Sequence, residues 1–214
     1  MRKTLQKELT RAKINLSKGF PLPVRIFHWG FAFTLTGIIL TGFILHKPLP
    51  FLALTYSKIF IYHVIFGWLA TAFFIFRLVD MLIRKDKTLL PSLGELKNLP
   101  KLLAYYLFLR PYKPPSGQYN IGQKLIFISW LILFPFLVLL SLGSYFAGQH
   151  LDWVVKFIGG LQYLRMTKYL GAVYFVATIL LHIYLSLTED LASLQSMVTG
   201  YEQKEKAPKN RDFL

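Results

Sequence analysis

The sequence runs to 214 residues, of which 54% are hydrophobic and only 16% charged, with 19 Phe, 12 Tyr and 4 Trp. A formal charge of +15 would suit nucleic acid in a soluble chain, but the charges here sit between long apolar blocks, where a membrane protein uses them to set topology; no nucleic-acid partner is expected. The absence of cysteine excludes disulfides, Cys-held iron–sulfur clusters and c-type haem attachment together.

The N-terminal segment, residues 1–25, is basic but does not lead straight into an apolar stretch. It lacks the compact layout of a cleavable signal, so the first apolar block is read as a retained span. Four spans are predicted: about 26–45, ending before Pro48 and Pro50; about 59–83; about 125–146; and about 169–187. Each approaches the ~20 residues that carry a helix across ~30 Å of hydrocarbon. Barrel strands would show short alternating segments instead. The predicted fold is therefore all-α, an integral membrane four-helix bundle over 26–190, followed by a tail at 191–214. Pro135 is expected to bend the third span locally.

Seven Lys and Arg lie in 1–27, nine in 77–124 and four in 189–214, against five in the two remaining connections. The positive-inside rule then puts both termini and the 77–124 loop in the cytoplasm. Within that loop, 93–100 and 101–108 either make short helices lying in the interface plane or belong to a loosely structured basic segment. Pro111, Pro114, Pro115 and Gly117 turn the chain back toward the third span, and Gly159-Gly160 punctuates the outer loop.

Three of the five histidines, His28, His63 and His182, lie in the spans. Imidazole in hydrocarbon is costly unless it is paired or ligates a metal, and a single one often serves as a hydrogen-bonding residue between helices. The predicted topology puts His28 and His182 at one depth near the inner surface and His63 near the outer one. Two imidazoles at one depth on different helices suit the axial positions of one haem iron. An interval of 14 residues separates His28 from Gly42, His63 from Arg77 and Lys168 from His182. That interval rises about 21 Å and returns to nearly the same face, the spacing that two cofactor levels require. Gly37, Gly42, Gly67 and Gly171 either open room for flat rings or serve close helix packing. Arg77 either pairs with a haem propionate or snorkels at the inner surface.

Four stretches carry a resemblance across about residues 20–200: Arg25-Ile26-Phe27-His28-Trp29 with Thr41-Gly42; His63 to Gly67 with Arg77; Tyr119-Asn120-Ile121-Gly122-Gln123-Lys124; and Leu164-Arg165 followed by His182-Ile183-Tyr184-Leu185. They resemble the di-haem cytochrome b subunits of membrane-bound formate dehydrogenases, related to those of nickel–iron hydrogenases and thiosulfate reductases. The third stretch, similar to the form YNxGQK of formate dehydrogenase gamma subunits, is the most specific. The resemblance implies a b-type cytochrome of the cell inner membrane with haem b between its helices. It would take electrons from an iron–sulfur partner subunit, itself joined to a catalytic subunit, and pass them through two haems to menaquinone or ubiquinone. It implies no substrate dehydrogenase site on this chain.

The same resemblance makes Asn120 and Gln123 candidates to hydrogen-bond a quinone carbonyl beside His182; read as residues alone, they cap the third span. One position departs from the pattern. Where the family has a fourth histidine, 14 residues before the last, this chain has Lys168. Either Lys168 supplies the outer ligand through a neutral amine, or the outer haem is five-coordinate or uses His150, or that haem is lost and His63 is an ordinary packed residue. Retention of His63, Gly42, Gly67 and Gly171 favours two haems. The competing expectations are a structural anchor or assembly subunit without its full haem complement, and a small transporter, for which no broken-helix pair stands out.

Overall fold

The structure is a computed structural model that describes residues 16–47, 49, 55–117, 119–188 and 191–203. Pro48, Pro50, most of the N-terminal segment and the tail beyond 203 lie outside the described residues. In chain order the elements are β1 (Leu16–Lys18), α1 (Leu22–His46), α2 (Tyr56–Arg84), α3 (Leu93–Leu96), α4 (Leu99–Tyr106), α5 (Ile121–Tyr145), α6 (Asp152–Phe157), α7 (Leu161–Thr188), α8 (Leu191–Thr199) and β2 (Tyr201–Gln203). Among the described residues, α1, α2, α5 and α7 are the four helices long and apolar enough to cross a membrane. The class is all-α apart from the three-residue strands, and α5 runs unbroken through Pro135.

Every span starts earlier than its apolar run. The offset is largest at α7, which begins at Leu161 directly after Gly160, held at φ 113, rather than near Tyr169. Lys168 is therefore two turns inside a helix rather than at its start. Hydropathy marks where hydrocarbon begins, whereas a helix continues into the polar layer for as long as its backbone is capped.

The described chain divides into two compact units, one made of the residues up to Trp29 with those from Leu181 onward, the other running from Gly30 to Leu180. In the first, β1 and β2 pair antiparallel, Leu16 opposite Gln203 and Lys18 opposite Tyr201. The Phe20 amide donates to the buried Ser196 hydroxyl of α8 at 2.8 Å. Arg25 donates from Nε to the Met197 carbonyl at 3.2 Å and from Nη2 to the Val198 carbonyl, and Trp29 Nε1 reaches Met197 as well, at 3.2 Å. Carbonyls at a helix C-terminus lack intrahelical donors and carry negative partial charge, so a guanidinium and an indole N–H satisfy α8 there. This docking was not expected from the sequence, and it gives the Arg25–Trp29 stretch a structural task.

In the second unit the helices interlock through small residues beneath large ones. A Cβ added at Gly37 would meet the Phe66 ring at 2.7 Å, one at Gly171 would meet Leu137 at 2.7 Å, and one at Gly143 would meet Val154 at 2.8 Å. Phe31, Phe74 and Phe134 form an aromatic cluster with ring centres 5.0 Å apart for both pairs involving Phe134. Trp130 Nε1 donates to Thr178 Oγ1 at 2.9 Å and the Ser129 and Tyr174 hydroxyls meet, tying α5 to α7 by polar contacts of the kind that hold helices together in lipid. Leu140, Val154, Val155 and Leu164 form a further buried cluster that seats α6, a short helix between α5 and α7.

Within the 77–124 loop the described residues form the short helices α3 and α4 over the two stretches for which helices were one of the expectations. Ser92 and Glu95 form a capping box at α3, with the Glu95 amide donating to Ser92 Oγ at 3.2 Å and the Ser92 amide to Glu95 Oε2 at 2.8 Å. Lys124 Nζ on α5 reaches Glu95 Oε1 at 2.7 Å, and Arg77 on α2 reaches Asp86 at 3.0 Å, so both flanking spans hold the loop by ion pairs.

Candidate functional site

His28 on α1 and His182 on α7 come together in the first unit. Their ring centres are 6.1 Å apart with planes inclined by 59°. An atom held ~2 Å from one nitrogen of each ring, with about 1 Å from nitrogen to ring centre, separates the centres by about 6 Å when the two nitrogens oppose one another. The Nδ1 of His28 is buried and makes no hydrogen bond. A buried nitrogen left so costs about 1–3 kcal/mol, a penalty that a ligand at this site would relieve. Among the described residues no three His, Asp or Glu side chains converge as a metal cluster. Two imidazoles alone suit an iron whose equatorial ligands come from a macrocycle. On distance and on the unpaired nitrogen, this pair fits a haem.

The second unit holds His63. Thr41 Oγ1 lies 2.6 Å from the Gly37 carbonyl and 2.9 Å from His63 Nδ1. The hydroxyl has one proton, which the helix carbonyl takes, so its oxygen accepts from Nδ1–H and leaves Nε2 of His63 with a lone pair. That is the outer-shell arrangement that fixes an imidazole tautomer for metal ligation. A Cβ at Gly42 would stand 3.3 Å from His63 Cε1, so glycine there admits the ring against α1, while a Cβ at Gly67, one turn beyond His63, would meet nothing within 4 Å. Gly67 thus opens onto space, whereas Gly37 and Gly171 serve helix packing.

Lys168 is half-buried on α7 and within electrostatic range of His63. His150, the other residue weighed as an outer ligand, is exposed in the turn between α5 and α6. The neighbouring Tyr169 packs against Phe43 at 5.8 Å and His46 at 4.9 Å, ring centre to ring centre. His46 was passed over in the sequence; its only signal there is a position one turn beyond Gly42.

Arg77, expected either to pair with a haem propionate or to snorkel, has carboxylate partners within the chain. Nη1 pairs with Asp80 and Nη2 with Asp86, both at 3.0 Å, and Asp80 also takes Arg84 Nε at 2.6 Å. Its charge is met within the protein rather than by snorkelling to water. Burial works to raise the Asp86 carboxyl, but the Thr88 hydroxyl and amide and the Arg77 guanidinium outweigh it and hold the group below the usual carboxylate range.

Asn120 and Gln123 form the capping box of α5, the Gln123 amide donating to Asn120 Oδ1 and the Asn120 amide to Gln123 Oε1, each at 2.9 Å. The cap consumes the two side-chain carbonyls and none of the NH₂ donors. Beside it lies a shallow cleft lined by Glu95, Asn98, Pro114, Tyr119 and Asn120 among others. The Lys124 ammonium and the Ser92 amide hold the Glu95 carboxyl below its usual range.

A profile of the prokaryotic cytochrome b561 family matches residues 19–200, which include all of these positions. The chain belongs to that family. This places it among the membrane b-type cytochromes that serve redox complexes. Its relatives include proteins called probable Ni/Fe-hydrogenase B-type cytochrome subunits. That of Bradyrhizobium diazoefficiens is 25% identical over 202 residues, covering 85% of this chain and 82% of the relative. That of Rhizobium leguminosarum bv. viciae is 25% identical over 214 residues, covering 90% of each. That of Azotobacter vinelandii is 24% identical over 201 residues, covering 84% of each.

Proposed function

We propose that this cytochrome passes electrons between an iron–sulfur partner subunit and the quinone pool, anchoring a catalytic subunit to the cell inner membrane with both of its own termini cytoplasmic. The observation that carries the reading is the His28–His182 pair, 6.1 Å apart with an unpaired buried nitrogen. His28 and His182 would hold one haem b. His63, oriented by Thr41, would hold the second together with Lys168. Haem b would supply a one-electron iron couple, and the chain's own part would be to provide and orient the side chains that hold it. Two complexes compete as the setting. The YNIGQK stretch at 119–124 favours a formate dehydrogenase-like partner, and the names of the relatives favour a nickel–iron hydrogenase. Co-purification of the chain with its neighbours, followed by assay with formate and with hydrogen, separates them.

Lys168 carries the first expected result. A four-carbon stem ending in an amine reaches iron when its helix packs beside the ring, and Lys168 lies within electrostatic range of His63. Lys168→Ala should convert one of two low-spin ferric signals in electron paramagnetic resonance to high spin, while haem content stays at or above half. Two low-spin signals unchanged by the substitution would remove Lys168 from the iron.

The second concerns the cap of α5. Asn120→Ala should cost about 1 kcal/mol of helix stability through the lost capping box. If the free NH₂ donors also bind a quinone carbonyl, Asn120→Ala and Gln123→Ala should raise the KM for a soluble quinone several-fold at unchanged haem content. Unaltered quinone kinetics in both variants would confine the pair to the cap.

A further inference from the structure

Between α4 and the turn toward α5 the backbone takes a conformation that its sequence does not favour. Leu107 closes α4, the Phe108 amide donates to the Tyr105 carbonyl at 3.0 Å, and the Leu109 amide donates to the Ala104 carbonyl at 2.8 Å. These two bonds define a Schellman ending, whose left-handed position is usually glycine. Here it is Phe108, at φ 59. A bulky residue in that region is an outlier that persists where something repays it. Among the described residues nothing does, since Phe108 is 95% exposed, with Leu107 at 66% and Leu109 at 77% beside it.

The surroundings of this apolar tip specify what it meets. The opposite face of α4 is fastened to a span: Leu102 is 1% exposed, and a Cβ on Gly122 in the first turn of α5 would lie 3.3 Å from its Cδ2. The helix that ends in this tip therefore packs on the first turn of α5, one of the four candidate membrane spans. Exposed Lys101 and Arg110 stand on either side of the three apolar residues, and no acidic residue occurs between Glu95 and Asp152. An apolar wedge flanked by cations at the mouth of a span is complementary to acyl chains beneath anionic headgroups. We propose that the 101–112 segment is a lipid-binding site, with Phe108 inserted into the leaflet and Lys101 and Arg110 engaging the phosphates of anionic phospholipid.

The chain has no cysteine, so Phe108→Cys carries a single thiol for a nitroxide label. The full chain is reconstituted into bilayers of phosphatidylethanolamine with phosphatidylglycerol, and separately into phosphatidylcholine, and the label's relaxation by oxygen and by a water-soluble nickel chelate is compared. Leu109→Cys serves as a second reporter should Phe108→Cys express poorly. In the anionic bilayer the label should be relaxed several-fold more by oxygen than by nickel, and Lys101→Gln with Arg110→Gln should shift that ratio toward nickel. Nickel access equal to that of a label at Lys87→Cys, in the exposed turn after α2, would overturn the proposal. Shielding from both reagents would also overturn it, because it would mean that another polypeptide covers the tip.

Discussion

Replacing His28 or His182 by alanine should halve the haem content of the purified protein, from two per chain to one, and abolish electron transfer to quinone. Each axial group is one of two, and with no cysteine in the chain nothing else fastens the macrocycle covalently. The rings stand 6.1 Å apart, so removal of either would leave the iron with one protein ligand in place of two. Haem assayed as its pyridine complex, per mole of protein, reads the loss directly. Two haems per chain in both variants, with normal turnover, would show that the pair holds no iron. The same measurement on His63→Ala should remove the other haem and leave the first in place.

The second large effect is on stability. The side chain of Arg77 is 9% exposed, and its partners Asp80 and Asp86 are 10% and 19% exposed. Arg77→Ala leaves the Asp86 carboxylate without a cation, although Asp80 keeps Arg84. Breaking a fully buried pair by removing one partner costs about 3–5 kcal/mol and an exposed pair contributes about 0–1 kcal/mol, so with Asp86 half-buried the loss at Arg77 falls between these. Thermal unfolding in a single detergent should therefore show a large loss for Arg77→Ala and a small one for Arg84→Ala, whose side chain is 42% exposed. Adding Asp86→Asn to Arg77→Ala should recover part of the loss by removing the stranded charge. Equal, small losses for the two arginines would mean that the network does not hold the loop to α2.

The four spans were legible because only a long apolar helix satisfies its backbone in lipid, and composition reports that requirement directly. The meeting of His28 with His182 followed from counting turns within oppositely running spans. What escaped detection depends on contacts that hydropathy does not report. The docking of α8 rests on one guanidinium, one indole and one hydroxyl reaching across more than 160 residues of sequence. Arg77 was read either as a propionate partner or as a snorkelling cation, and neither reading reported the carboxylates that it meets three and nine residues ahead in its own chain. Lys168 was found by its interval to His182, but its setting two turns inside α7 was hidden by the polar residues that begin that helix. Asn120 and Gln123 were legible both ways, since the residues of a capping box are also those that can address a carbonyl ligand.

The most direct measurement of the central claim is a dithionite-reduced minus oxidised optical spectrum of the full-length protein, purified in detergent and shown to be folded by circular dichroism. The account predicts a b-type spectrum, with reduced Soret and alpha bands and two haems per chain. A folded, full-length preparation without colour would contradict it.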